Sequence, residues 1–188
     1  MASWSVILSP GGDITSLVDI NSIVRQQRLF SELTPNTNRL DFRAKFSSTL
    51  LATLFANDVV EIAVTKDATA YFTGVLSPNY KTTIRDGIKY MNLIAEDYNL
   101  SRLGKTIAAP FAVAGFAVCT PAATSTSLVH EIAAEAGVTL AGSLPTISST
   151  VPYVIAMPDD KQTWGGLLAG ILFEYGYVYN FAPDGTLA

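Results

Sequence analysis

Histidine and cysteine are almost missing from this chain of 188 residues, which holds one of each, His130 and Cys119. A single cysteine cannot close an internal disulfide, so no oxidised framework is expected, and folding in a reducing compartment fits. A single histidine argues against a histidine-based zinc site. His130-Glu131 is not the start of an HExxH pair, because Ala134 stands where the second histidine belongs. Charge is also sparse, at 15% of residues with a net −4, so the basic stripe that nucleic acid favours is not there. Long apolar runs are lacking too. The longest, residues 107–119, is shorter than the roughly 20 residues that span a bilayer and is interrupted by Pro110 and Gly115, so no membrane insertion is expected. The first ten residues, MASWSVILSP, have neither a basic region nor a long apolar core and do not read as a signal peptide.

What is present is an apolar fraction of 49%, enough to build a core in one domain or two small ones. The organising stretch is residues 58–77, DVVEIAVTKDATAYFTGVLS. Val60, Ile62 and Val64 alternate with Glu61, Ala63 and Thr65; after a turn at residues 66–69, Phe72, Gly74 and Leu76 share one face. Side chains alternate along a strand, so this reads as a β-hairpin with one buried face. The outward Glu61, Thr65, Tyr71 and Thr73 are then either a plain solvated face or candidate subunit-contact positions.

Upstream, residues 3–8 form a short apolar strand closed by Pro10-Gly11-Gly12, and residues 13–20 return as a second. Residues 21–33 read as extended and residues 34–38 as a turn. Residues 39–46 give the cleanest strand: Leu40, Phe42, Ala44 and Phe46 face a core, while Arg39, Asp41, Arg43 and Lys45 face water or a charged partner. Ser47-Ser48 caps a short helical turn through Phe55. Further on, Asp86-Gly87 between two extended runs is a strong hairpin signal, because both central positions need φ > 0. Several short strands at this spacing point to a small barrel or sandwich.

Every Lys and Arg except Lys161 lies at or before Lys105, whereas acids continue to Asp184; this shift marks a boundary between about 107 and 127. Beyond it the sequence predicts a buried strand over 111–119 and a helix capped by Ser127 and Gly137. A brief strand at 138–140, a loop over 141–150 and an extended run over 151–157 follow. Pro158-Asp159-Asp160 then leads into a second helix, the acids complementing its dipole. Gly165, Gly166 and Gly170 weaken that helix and require a close neighbouring backbone. Residues 177–181 read as a strand and Pro183-Asp184-Gly185 as a turn with no returning strand, which predicts that a longer protein continues past Ala188.

Little of this carries catalytic chemistry. Gly104-Lys105-Thr106 is not a phosphate loop, since Asn99 stands where the first glycine belongs. Cys119 and His130 are the residues a small hydrolase would use, although a thiol ending an apolar run reads as buried and inert. Glu131 and Glu135, one helical turn apart, read as a solvated face. Tyr175, Tyr177, Tyr179 and Phe181 would form a sugar-binding strip or, better, the buried face of a strand.

Taken together, Asp13-Ile14-Thr15, the pair DVVEIAV and AYFTGVLS, residues 92–97, the run VHEIAAEAGVTL and the stretch from Trp164 to Leu187 resemble the N-terminal part of tail baseplate hub proteins of contractile-tailed phages and prophages. The resemblance implies an α+β fold, with a small antiparallel tail-tube-like β-barrel over 1–107 followed by an α/β segment over 108–188. It also implies a homotrimer in the virion tail, assembled in the host cytoplasm, that joins tail tube protein to central spike protein without catalysis or cofactor. The expected mechanism is assembly through sheet edges and barrel rims. A tail-tube or secretion-spike component of similar fold is the structural alternative; the hydrolase and a carbohydrate-binding module are the others.

Overall fold

Strand alternation decides the first half of the molecule. The computed structural model describes residues 2–28, 37–121, 127–151, 154–156 and 159–188. They form two compact units, one of residues 2–28, Thr37–Asp97 and Pro183–Gly185, the other of Tyr98–Ala182 and Thr186–Ala188.

In the first unit β1 (Trp4–Ser9), β2 (Gly12–Asp13), β3 (Val18–Arg28) and β4 (Thr37–Lys45) precede helix α1 (Ser48–Ala56). After it come β5 (Glu61–Lys66), β6 (Thr69–Leu76), β7 (Lys81–Arg85) and β8 (Ile88–Glu96). All eight strands join one antiparallel sheet in the order β2-β1-β5-β6-β8-β4-β3, with β7 on β8. The sheet is not closed into a barrel: among the described residues no ladder joins β2 to β3. Only Ile14 and the 3₁₀ turn Thr15–Leu17 separate these two strands in sequence. Four residues span at most about 14 Å, so the two ends of the strand order lie near each other and the sheet is rolled. The expected strand over 13–20 is therefore broken by this turn, with Asp13 ending β2 and β3 taking over from Val18.

The core is filled from alternate positions: Val6 and Leu8; Leu40, Phe42 and Ala44; Ile62 and Val64; Met91, Leu93 and Ala95. Helix α1 adds Leu50 and Leu54, and Ser47 caps it by accepting from the Leu50 N–H. Phe46, expected inside, is exposed instead, with the Lys89 ammonium 4.3 Å from its ring centre. Both tight hairpins turn as read. Asp67 and Ala68 have φ of 51° and 61°, and Asp86 and Gly87 have 51° and 76°, the conformation whose twist matches the strands.

A buried polar cluster ties four strands together. The Asp97 carboxylate accepts both the backbone N–H and the side-chain amide of Asn38. The Asn38 carbonyl oxygen accepts from Arg25 Nε and Nη2 at 3.2 and 3.1 Å, and Arg25 Nη1 donates to the Tyr71 carbonyl at 3.1 Å. Arg25 thus bridges β3 to β6 where no backbone ladder does. On the other side of β4 the ladder to β3 breaks between Asp19 and Val24. There the Ser22 hydroxyl accepts the Arg43 N–H at 2.8 Å in place of a strand carbonyl.

The second unit holds β9 (Thr106–Ile107), β10 (Phe111–Val113), β11 (Phe116–Cys119), α2 (Leu128–Ala136), β12 (Ile147–Val151), β13 (Val154–Ala156), β14 (Asp159–Thr163) and α3 (Trp164–Glu174). Its strands pair as separate ribbons, β10 with β13, β11 with β12 and β14 with β9. The expected single strand over 111–119 is two strands, parted at Gly115 (φ 74°), with different partners. Residues 147–150, read as the end of a loop, belong to a strand that runs on to Val151. Asp159 and Asp160 do not open the helix; they lie in β14, and Thr163 caps α3 by accepting from the Gly166 N–H at 3.1 Å. Residues 177–180 form no strand. The chain does return after Pro183-Asp184-Gly185: Asn180 and Ala188 exchange backbone bonds of 2.9 Å, and Leu187 bridges Phe181 and Leu140.

The glycines of α3 divide. A Cβ at Gly165 would stand 2.9 Å from the Tyr179 hydroxyl and 3.3 Å from the Leu103 carbonyl, so this glycine admits the close neighbour the sequence calls for. Gly170 faces nothing within 4 Å. Gly170→Ala is therefore expected to stabilise the protein by about 1 kcal/mol, since alanine loses less backbone entropy in a helix; a thermal melt checks it.

Candidate assembly surface

The outer face of the rolled sheet is the other half of the alternation that fills its core. Residues paired directly across an antiparallel ladder share a face, so the register shows which outward residues meet. Ile7 is opposite both Asp13 and Ala63, and Ala63 is opposite Thr73. The neighbouring row is Ser9, Glu61 and Val75, and the row on the other side is Ser5, Thr65 and Ala70. The register therefore gathers three of the four expected contact residues, Glu61, Thr65 and Thr73, on one outer wall built by β1, β5 and β6. At its centre lie Ile7, 46% exposed, and exposed Ala63.

Tyr71 is placed differently. A bulge between Val64 and Thr65 leaves it as the extra residue of β6. It packs at the margin of the core, its ring 5.2 Å from Trp4 in an edge-to-face pair, with the Arg25 guanidinium 5.9 Å from the ring centre. Simple alternation cannot foresee a bulge, which shifts every side chain beyond it.

This wall is acidic where it is charged. Asp13 and Glu61 are its ionisable groups, and the β5–β6 turn adds Asp67, which accepts the Ser3 N–H at 2.7 Å. The Thr15 side chain, and then its backbone N–H, hold the Asp13 carboxyl below its ordinary value, so it stays charged through the neutral range.

A second outer wall is built by β4, β8 and β7, and it carries a groove of about 800 Å³. Its lining includes Arg39, Asp41, Arg43, Tyr80, Lys81 and Ile94. Arg39 Nε and Asp41 form one ion pair at 2.8 Å, and Arg43 and Asp19 another at 2.8 Å. Glu96 stands opposite Arg39 on the same outward register as Lys45 and Lys81, and Arg85 pairs with Asp86 at 3.8 Å, so this wall carries both signs of charge. Beyond the groove the β7–β8 hairpin stands clear of the core. All of β7 is exposed, Ile84 by 76% and Ile88 across the turn by 42%, and among the described residues β7 pairs on one side only. The sequence reading missed this groove because its residues come from separate segments that only the register assembles.

The residues of the hydrolase reading do not converge. Cys119 is buried, lines a cavity of about 30 Å³, and burial pushes its thiol further up from an already high value. His130 lines a different cavity, of about 320 Å³. Among the described residues no group of three or more His, Cys, Asp or Glu is arranged to hold a metal. The tyrosine strip is also dispersed: Tyr177 is 39% exposed, while Tyr179 and Phe181 are buried, Tyr179 with its hydroxyl 3.2 Å from the Asn99 carbonyl oxygen. No helix among the described residues is long and apolar enough to cross a membrane.

Burial holds the His130 imidazole below its usual 6.5, against the opposing pull of Glu131. Below that pH the unfolded chain binds the proton more readily than the folded one, so folding stability falls as pH drops through 6.5. The fall ends once the pH passes the lower folded value. Urea midpoints from about pH 7.5 to about pH 5.5 should therefore decline more steeply for the wild type than for His130→Gln.

No protein-family model matches the chain, and no curated protein sequence does. Solved structures do. The fold is similar to that of the 43 kDa tail protein of prophage MuSo2 from Shewanella oneidensis, with a TM-score of 0.64 and 10% identity over 100% of this chain and 52% of that one. The tail protein from Neisseria meningitidis MC58 gives 0.61 and 17% identity over 99% of this chain and 50% of that one. The chain thus spans about half the length of each of these tail proteins. At such identities the likeness is one of fold.

Proposed function

We propose that this chain is a non-enzymatic structural component of a phage tail, acting in the baseplate hub that joins the tail tube to the central spike. The observation that carries the reading is a likeness of fold that runs the whole length of the chain and is shared with two tail proteins, one of them from a prophage. The outer surfaces of the first unit support it: an exposed hairpin with one free edge, a groove and an apolar-centred wall are features that build interfaces. Work of this kind needs held shape and complementary faces, with no reacting group. The resemblance in the sequence adds homotrimeric assembly and contact with tail tube and spike.

Co-expression of the full chain with a tail tube protein and a central spike protein from the same genome tests the proposal. Co-purification of the chain with both partners at a fixed ratio is the expected result. Retention of neither partner would count against the hub assignment. A tail-tube or secretion-spike role is the second reading, favoured by the rolled antiparallel sheet; capture of tube protein alone would select it.

A further inference from the structure

The chain has two Asp-Gly steps, Asp86-Gly87 and Asp184-Gly185, and the fold treats them differently. An aspartate before glycine is where a backbone can rearrange, because glycine has no Cβ to shield its nitrogen from the neighbouring carboxyl. Asp86 and Gly87 form the open end of the β7–β8 hairpin. The Asp86 side chain is 90% exposed, its partner Arg85 stands 3.8 Å away, and a Cβ at Gly87 would meet nothing within 4 Å. All of β7 is exposed, so little apolar burial resists opening of this turn. At the other step Gly185 is buried and Asp184 is engaged within the chain, and the Ala182 N–H donates to the Thr186 carbonyl at 2.9 Å across the turn. Asp67, in the matching turn of β5 and β6, precedes Ala68, and its carboxylate already accepts the Ser3 N–H.

We propose that Asp86 is a modification site, where aspartate converts to isoaspartate without an enzyme. When the turn opens, the Gly87 nitrogen attacks Asp86 Cγ. The N–Cγ bond forms, the carboxyl hydroxyl leaves with the amide proton as water, and a succinimide ring closes. Water then adds to the ring carbonyl that came from the original peptide bond. That C–N bond breaks, the nitrogen takes back a proton, and the main chain now runs through Cβ and Cγ. One water leaves and one enters, so the mass is unchanged and no oxidant or reductant is needed. The product carries an extra backbone carbon in a two-residue turn, which no longer matches the pair Arg85 and Ile88. The ladder of β7 on β8 loosens, while the core, to which β7 gives no buried side chain, is kept. The change ages the exposed hairpin and spares the rest of the sheet.

Incubation of the purified full chain for weeks at neutral pH, in water enriched in heavy oxygen, tests the proposal. Peptide mass spectrometry reads the heavy oxygen taken up at each Asp-Gly step, and an isoaspartyl methyltransferase with labelled S-adenosylmethionine counts the product. Position 86 should hold about tenfold or more of the isoaspartate found at position 184, a difference that local opening free energies readily produce. Hydrogen exchange at the β7 amides should quicken in the aged chain and stay unchanged in β4. Asp86→Glu should abolish the signal, because its longer side chain must close a larger ring, and Asp184→Glu should leave it. Thermal melting checks that both variants fold. Asp86→Asn keeps the turn chemistry and should speed the conversion, since ammonia leaves more readily than water. Equal product at the two steps, none at position 86, a signal that survives Asp86→Glu, or no gain in Asp86→Asn overturns the proposal.

Discussion

Gly74→Ala is expected to destabilise the protein by about 3 kcal/mol or more, the upper range for forcing atoms into a packed core. The position reads in the sequence as an ordinary inward residue between Phe72 and Leu76. In the fold it lies where β6 meets β8, one residue before the pair Val75 and Glu96. A Cβ there would stand 2.2 Å from the Glu96 carbonyl oxygen and 2.8 Å from its carbon. Both are backbone atoms, so no rotamer change relieves the clash. The two strands must part, and with them goes the short ladder that joins β1, β5 and β6 to β8, β4 and β3. A urea titration measures the loss; a shift under about 1 kcal/mol would mean that β6 and β8 do not approach in this way.

Asp97→Ala should cost about 3 kcal/mol, the scale for breaking a buried charged network by removing one member. Asp97 is 3% exposed and Asn38 5%. Without the carboxylate, the Asn38 N–H and side-chain amide lose the acceptor they share, far from water. The guanidinium of Arg25, which donates to the Asn38 carbonyl oxygen, loses its electrostatic counterpart as well. Asp97→Asn keeps an oxygen in place and should cost less than Asp97→Ala. Equal losses in the two variants would assign the effect to charge alone, and no loss in either would contradict the network.

Where one face is buried and the other is not, the fold was legible in the sequence. Residues 39–45 and the hairpin over 58–77 show their inward positions by alternation, which fails only at Phe46 beyond the strand's end, and Asp86-Gly87 announces its turn through chemistry that needs positive φ. The second unit was less legible because partners, and not local pattern, decide its elements. Ser148, Ser149 and Thr150 resemble a loop but complete a ribbon with β11. Asp159 and Asp160 resemble a helix start but belong to a strand that pairs with β9. The closed barrel was an expectation from pattern and resemblance; the hydrogen bonding leaves the sheet rolled and open.

The assembly surface divides in the same way. Alternation alone places Glu61, Thr65 and Thr73 outward. That Ile7 and Asp13 complete their wall depends on the register of β1, and the bulge that turns Tyr71 toward Trp4 has no signature in composition. The face bearing Arg39, Asp41 and Arg43 was readable as one for water or a charged partner. The groove over it exists only because β8 lies beside β4 and β7 beside β8.

The most direct test of the central claim is a census of tail particles from the host that encodes this chain, by quantitative mass spectrometry of purified particles. A structural tail component predicts the chain at a small, constant copy number per particle, at the baseplate end when labelled by antibody. Its absence from intact, correctly assembled tails would contradict the account.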